Sequence, residues 1–139
     1  MGTIVLTEAN RKRISAAIKA AEAGHRGEIV VHLEPRLWGK PLERAAKLFT
    51  QLGVHNTKDD TGVLLYVATA SRAAAVWAGK GIRGGADSAT WKPVFAALGA
   101  ASDPTAAICD AIAALGKVLA THASGPDVHG NEIGDGVSA

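Results

Sequence analysis

Asn56, Asp59 and Asp60 place three oxygen-bearing side chains in one short polar loop, directly before an apolar run that starts at Gly62. Carboxylates and amide oxygens are what hard divalent cations such as calcium or magnesium select, so this loop is the candidate metal site. Calcium takes about six to eight oxygens, and the spacing here is not that of an EF-hand loop. A solvated turn carrying acids accounts for the same residues equally well. Glu28 and Glu34 flank a strand-like segment and add carboxylates only if its ends meet the loop. His55, beside the acids, is the histidine best placed for acid–base work or metal ligation. The remaining histidines lack the paired spacing of zinc sites, and the lone Cys109 reads as an inert thiol within an amphipathic helix.

A second constellation is Gly79-Lys80-Gly81-Ile82-Arg83-Gly84, which has the glycine spacing of a dinucleotide fingerprint. That chemistry needs a parallel strand–helix–strand unit with an acid near the end of the next strand, and no strand follows here, so no nucleotide is expected. Glycines making a tight exit from a hairpin are the simpler reading. A weaker version survives, in which Lys80, Arg83 and nearby backbone amides cradle a phosphate or carboxylate. Ser71 has no Gly-x-Ser-x-Gly elbow around it, and its neighbour Arg72 suits ordering a hairpin turn.

The elements that must hold these groups follow from periodicity. Thr7 caps a helix through about Gly24, with Ile14, Ala17, Ile18 and Ala21 on one stripe. Glu28 to Glu34 reads as a β-strand ended by Pro35, and Pro41 opens a second helix that Gly53 terminates. The continuous apolar run Gly62 to Ala68 suits a central strand covered on both faces, parallel to the first through a right-handed crossover. After the break Thr69 to Arg72, Ala73 to Ala78 returns antiparallel. A helix is expected over about Asp87 to Leu98, started or kinked by Pro93. The last helix is capped by Asp103, opens on Pro104, and repeats Ile108, Ile112, Leu115 and Leu119. The breaker-rich segment from Ala123 reads as a mobile tail outside the core.

Composition sets the limits on function. A chain of 139 residues is the size of a single domain, here 1–122 plus a flexible tail 123–139. Alanine is the commonest residue in an apolar fraction of 47%, 16 glycines stand beside it and aromatics supply only 4%, which favours helices lying close on a sheet. A net charge of +2 is too small for the sustained basic surface that a nucleic-acid partner needs. The longest near-apolar segment, Gly62 to Ala78, falls short of the roughly 20 residues of a membrane span, so none is predicted. The N-terminus lacks the pattern of a secretory signal, and the sequence as it stands reads as cytoplasmic.

Several segments taken together resemble the TPM domain: Leu6-Thr-Glu, Gly27-Glu-Ile-Val-Val, Ala45 to Phe49, Leu52-Gly53-Val54, Thr61-Gly-Val-Leu-Leu-Tyr-Val, Ser71-Arg72 and Gly81-Ile82. That family includes thylakoid-lumen photosystem repair proteins and many bacterial proteins. The likeness runs from about Leu6 to His122, and Asn131-Glu-Ile-Gly-Asp is similar to the tail of short bacterial members. The resemblance implies a three-layer α/β/α sandwich, Rossmann-like, with a mixed sheet and no nucleotide. It also implies acid phosphatase activity for plant members, calcium binding for some and accessory roles for others. Asn56, Asp59 and Asp60 match the family's acidic loop, Glu28 its strand glutamate, and Arg72 its hairpin arginine. Two departures weaken the enzymatic expectation. Gly79 stands where related sequences carry an aspartate, and Thr3-Ile-Val-Leu replaces an aspartate-containing segment. The leading expectation is a module that binds a protein partner, with a divalent cation at the acidic loop. The alternative is a metal-assisted acid phosphatase in which His55 or Glu28 moves the proton.

Overall fold

Backbone register follows from β-branched residues that can be buried on both faces. In the computed structural model, which describes residues 6–123 and 136–138, Glu28–Glu34 forms β1 and Gly62–Ala68 forms β2. They run parallel with Glu28 opposite Gly62 and Glu34 opposite Ala68, joined by helix α2, Pro41–Gln51. Strand β3, Ala73–Ala78, returns antiparallel with Ala68 opposite Ala73 and Val63 opposite Ala78. A two-residue strand β4, Val137–Ser138, lies parallel to β1 on its other side, giving the order β3-β2-β1-β4. The mixed sheet with flanking helices is the architecture that the sequence pattern implies.

Alternation along the strands separates two layers. Ile29, Val31, Leu33, Val63, Leu65 and Val67 meet α1 (Glu8–Glu22), α3 (Lys92–Ala100) and α4 (Pro104–His122) in the larger core. Val30, Leu64 and Tyr66 meet Ala45, Leu48 and Phe49 of α2 on the opposite face. The caps behave as their chemistry requires. Thr7 Oγ1 accepts from Asn10 N at 3.1 Å and Asp103 Oδ2 accepts from Ala106 N at 2.9 Å. Pro93 does not kink the helix but sits in the first turn of α3, after a 3-10 turn over Ser88–Trp91. Helix α4 is long and apolar enough to cross a membrane by length and composition, yet Ile108, Ile112, Leu115 and Leu119 are wholly buried in the core.

One expectation is corrected. The tail was expected outside the core, but Val137 is 7% exposed within the larger core, and Val31 N donates to Gly136 O at 2.7 Å. The edge of β1 would otherwise leave backbone groups unpaired, and a short returning strand satisfies them. The expected mobility of 124–135 and of residue 139 lies outside the described residues.

Candidate functional site

The parallel strands define two rims. At the rim where they begin, the acidic loop packs directly on the exit of the β2–β3 hairpin. Asp60, at φ 53°, turns its carbonyl oxygen to Gly81 N at 2.8 Å and its Oδ2 to Lys80 N at 3.0 Å. A Cβ at Gly79 would lie 2.3 Å from Asp60 O, and one at Gly81 would lie 2.1 Å from Asp59 O. The glycines are there because the two segments touch backbone to backbone. Glu28 belongs to the same rim: it is buried, sits opposite Gly62, and its N–H donates to Thr61 O at 3.0 Å. His55, Asn56 and Asp59 are exposed on the loop.

Two of the sequence-based groupings do not form. Arg72 precedes β3, whose first residue pairs with the last residue of β2, so it stands at the opposite rim from Glu28. At about 3.3 Å per residue the two are some 20 Å apart along the strands, and no single cleft holds Glu28, His55 and Arg72. The amide cradle around Lys80 and Arg83 is also absent, because the backbone donors are spent internally. Besides the Lys80 and Gly81 amides, Ile82 N donates to Gly79 O and Arg83 N to His122 O, at 3.1 and 3.0 Å. The His122 ring returns a hydrogen bond from Nδ1 to Arg83 O at 2.8 Å.

A divalent cation fits the acidic loop poorly. The Asp60 carboxylate already caps the Gly79–Lys80 turn, and Gly79 leaves no room for a Cβ, so no further carboxylate stands there. Among the described residues no three His, Cys, Asp or Glu side chains gather as a cation would need.

The opposite rim carries a network that the sequence reading did not single out. Glu34 takes two bonds from Arg44, from Nε at 3.2 Å and Nη2 at 3.0 Å, and one from the Tyr66 hydroxyl. His32 bridges Glu34 Oε1 and Ser138 Oγ, both at 3.0 Å, and stacks on Tyr66. Burial alone would raise the Glu34 carboxyl, but the bonds from Arg44, Tyr66 and His32 outweigh it and hold it down at about 2. Burial and the bond to Glu34 push the Tyr66 phenol above its usual range. The signal was present in the strand parity. Glu28, His32 and Glu34 share one face of β1, and Tyr66 is the lone tyrosine of an otherwise aliphatic strand.

This network fixes the N-terminal half of α2 against the end of β1, and so builds one wall of a groove. A depression of about 610 Å³ runs along β3, lined on one side by Lys40, Pro41 and Leu42 and on the other by Trp91 and Phe95. Leu42, Trp77 and Phe95 are 53%, 37% and 36% exposed beside it. Trp91, buried, is held by its Nε1 donating to Gly85 O at 3.0 Å. The floor is backbone. Glu28 N bonds to Thr61 O and Gly79 N to Gly62 O, so the odd residues of β2 point toward β1 and the even ones toward β3. By the same alternation Ala73, Ala75 and Trp77 bond to β2, while Ala74, Val76 and Ala78 turn their N–H and C=O groups to the outer edge, on which no strand of the described residues lies.

A profile of the TPM domain matches residues 2–118. The chain belongs to the TPM domain family. It is similar to the BA42 protein from the psychrophilic bacterium Bizionia argentinensis, known from an NMR structure, at 29% identity and a TM-score of 0.82. The likeness covers 97% of this chain and 95% of that one. None of the curated proteins matches this TPM domain. In this chain the residue at position 79 is a glycine packed against the Asp60 backbone, with no room for a side chain.

Proposed function

We propose that this TPM domain is a partner-binding accessory module that takes an extended segment of another protein onto the free edge of β3. The observation that carries this reading is the edge itself. Ala73-Ala74-Ala75-Val76-Trp77-Ala78 contains no charge and no proline, the devices by which proteins normally blunt an exposed strand edge. Apolar walls stand on both sides of it, and its small side chains let another backbone approach to strand spacing. Strand addition uses such a surface, with main-chain hydrogen bonds supplying affinity and flanking pockets supplying selection.

The test is chemical-shift mapping of the isotopically labelled protein with synthetic octapeptides of alternating valine and threonine. The reading expects shifts concentrated on Ala74 to Ala78, Leu42 and Phe95. Shifts confined to the acidic loop, or none at millimolar peptide, would remove it.

A further inference from the structure

Charge is distributed unequally along the groove, and that asymmetry specifies the occupant. Strand β3 begins at the rim where Glu34 lies, and Lys40 borders both the groove and an adjoining cleft of about 400 Å³. That cleft is lined by Arg36, Arg44 and Lys47 together with Glu34 and Glu43, and Arg72 stands on the other face just before Ala73. Arg44 is committed to Glu34, but Arg36, Lys40, Lys47 and Arg72 have no ion pair among the described residues. Helix α2 begins here with no side-chain cap on its first amides, which adds the positive end of its dipole. At the other end of β3, Lys80 and Arg83 stand among Asp59, Asp60 and Asp87, leaving no excess of positive charge.

Resting on the reading above, we propose that the partner segment is a single extended peptide that binds antiparallel to β3 and places acidic residues, or its own C-terminal carboxylate, at the Lys40–Arg72 end. Antiparallel addition lays the C-terminal side of the peptide against the start of β3, so the partner's negative end meets the cationic end. Parallel addition would bring a peptide amino terminus against the same cations. The groove also selects against a second copy of the domain. Its strand edge is recessed between the Pro41–Leu42 and Trp91–Phe95 walls, and two recessed edges hold each other beyond the roughly 4.8 Å that strand pairing requires.

The experiment is selection of a random octapeptide library displayed with free C-termini against the whole chain, followed by mapping of the enriched peptides. The expected result is enrichment of alternating apolar sequences with acids in the last three positions. Binding should weaken at least tenfold in Lys40→Glu combined with Arg72→Glu, two exposed positions whose replacement leaves the core untouched. A paramagnetic label on the peptide's N-terminus should broaden Lys80 and spare Arg72. Enrichment of neutral or basic sequences on the same edge, or broadening at Arg72, would overturn the charge and direction proposed here while leaving strand addition standing. A failure of any library member to shift Ala74, Val76 or Ala78 would overturn both. Concentration-dependent dimerisation through β3, read by sedimentation, would replace the peptide with a second copy and equally refute the proposal.

Discussion

Glu34 is the residue on which the cationic end of the groove depends, because it ties Arg44 of α2 to Tyr66 of β2 and, through His32, to Ser138. Its carboxyl is held at about 2 in the folded domain against an ordinary value of 4.5, so the folded state favours the ionised form. The stabilisation is therefore complete above about pH 4.5 and lost as pH falls toward about 2. Glu34→Gln is expected to cost about 2 kcal/mol at pH 7, the scale of hydrogen bonds to a charged group, and almost nothing near pH 2. Urea unfolding at the two pH values checks this, and equal losses at both would contradict it. Gly79 supplies a second residue-level test. Gly79→Ala drives a methyl into the Asp60 backbone and should cost on the order of 1–3 kcal/mol, as overpacking does. Gly99→Ala, in open space on α3, should be neutral or stabilising by up to about 1 kcal/mol. Thermal melts of the pair would separate steric packing from a general glycine effect.

At the scale of elements, much was legible and the reason is periodicity. Gly62 to Ala68 and Ala73 to Ala78 read directly as strands because a doubly covered β2 is a continuous apolar run and a serine–arginine turn breaks it from β3. Thr7 and Asp103 declared their helices through cap chemistry that is local in sequence. The acidic loop and hairpin exit were expected on one rim, and they share it. Arg72 was grouped with them although it stands at the other, where chain order and the antiparallel return after Thr69 to Arg72 already put it. The Glu34 network was missed for a different reason: its members come from β1, α2, β2 and β4, and the tertiary register brings them together. The free edge of β3 was equally invisible, because an edge is defined by what fails to pair with it. Ala74→Lys is expected to leave folding intact, since Ala74 is only half-buried, yet to abolish peptide-induced shifts by placing a charge beside the edge. Retained binding in that variant would place the peptide elsewhere.

Across the whole molecule the sheet is asymmetric. One edge, at β1, is closed by the chain's own C-terminal strand, with Gly136 O and Val137 taken into the backbone ladder and the core. The other, at β3, has no strand upon it among the described residues. Removing residues 136–139 should cost roughly 2 kcal/mol, the value of burying one valine, and release Arg11 Nη2 from Val137 O. Chemical denaturation of the truncated chain measures that cost, and unchanged stability would mean that β4 is not part of the folded core. The account as a whole stands on the β3 edge being open in the free protein, and residue-resolved amide hydrogen exchange measures this directly. Ala74, Val76 and Ala78 should exchange at least tenfold faster than Ala75 and Trp77, and slow when a peptide is bound. Equal, slow exchange along all of β3 in the free protein would mean that the edge is already covered, and would contradict the account.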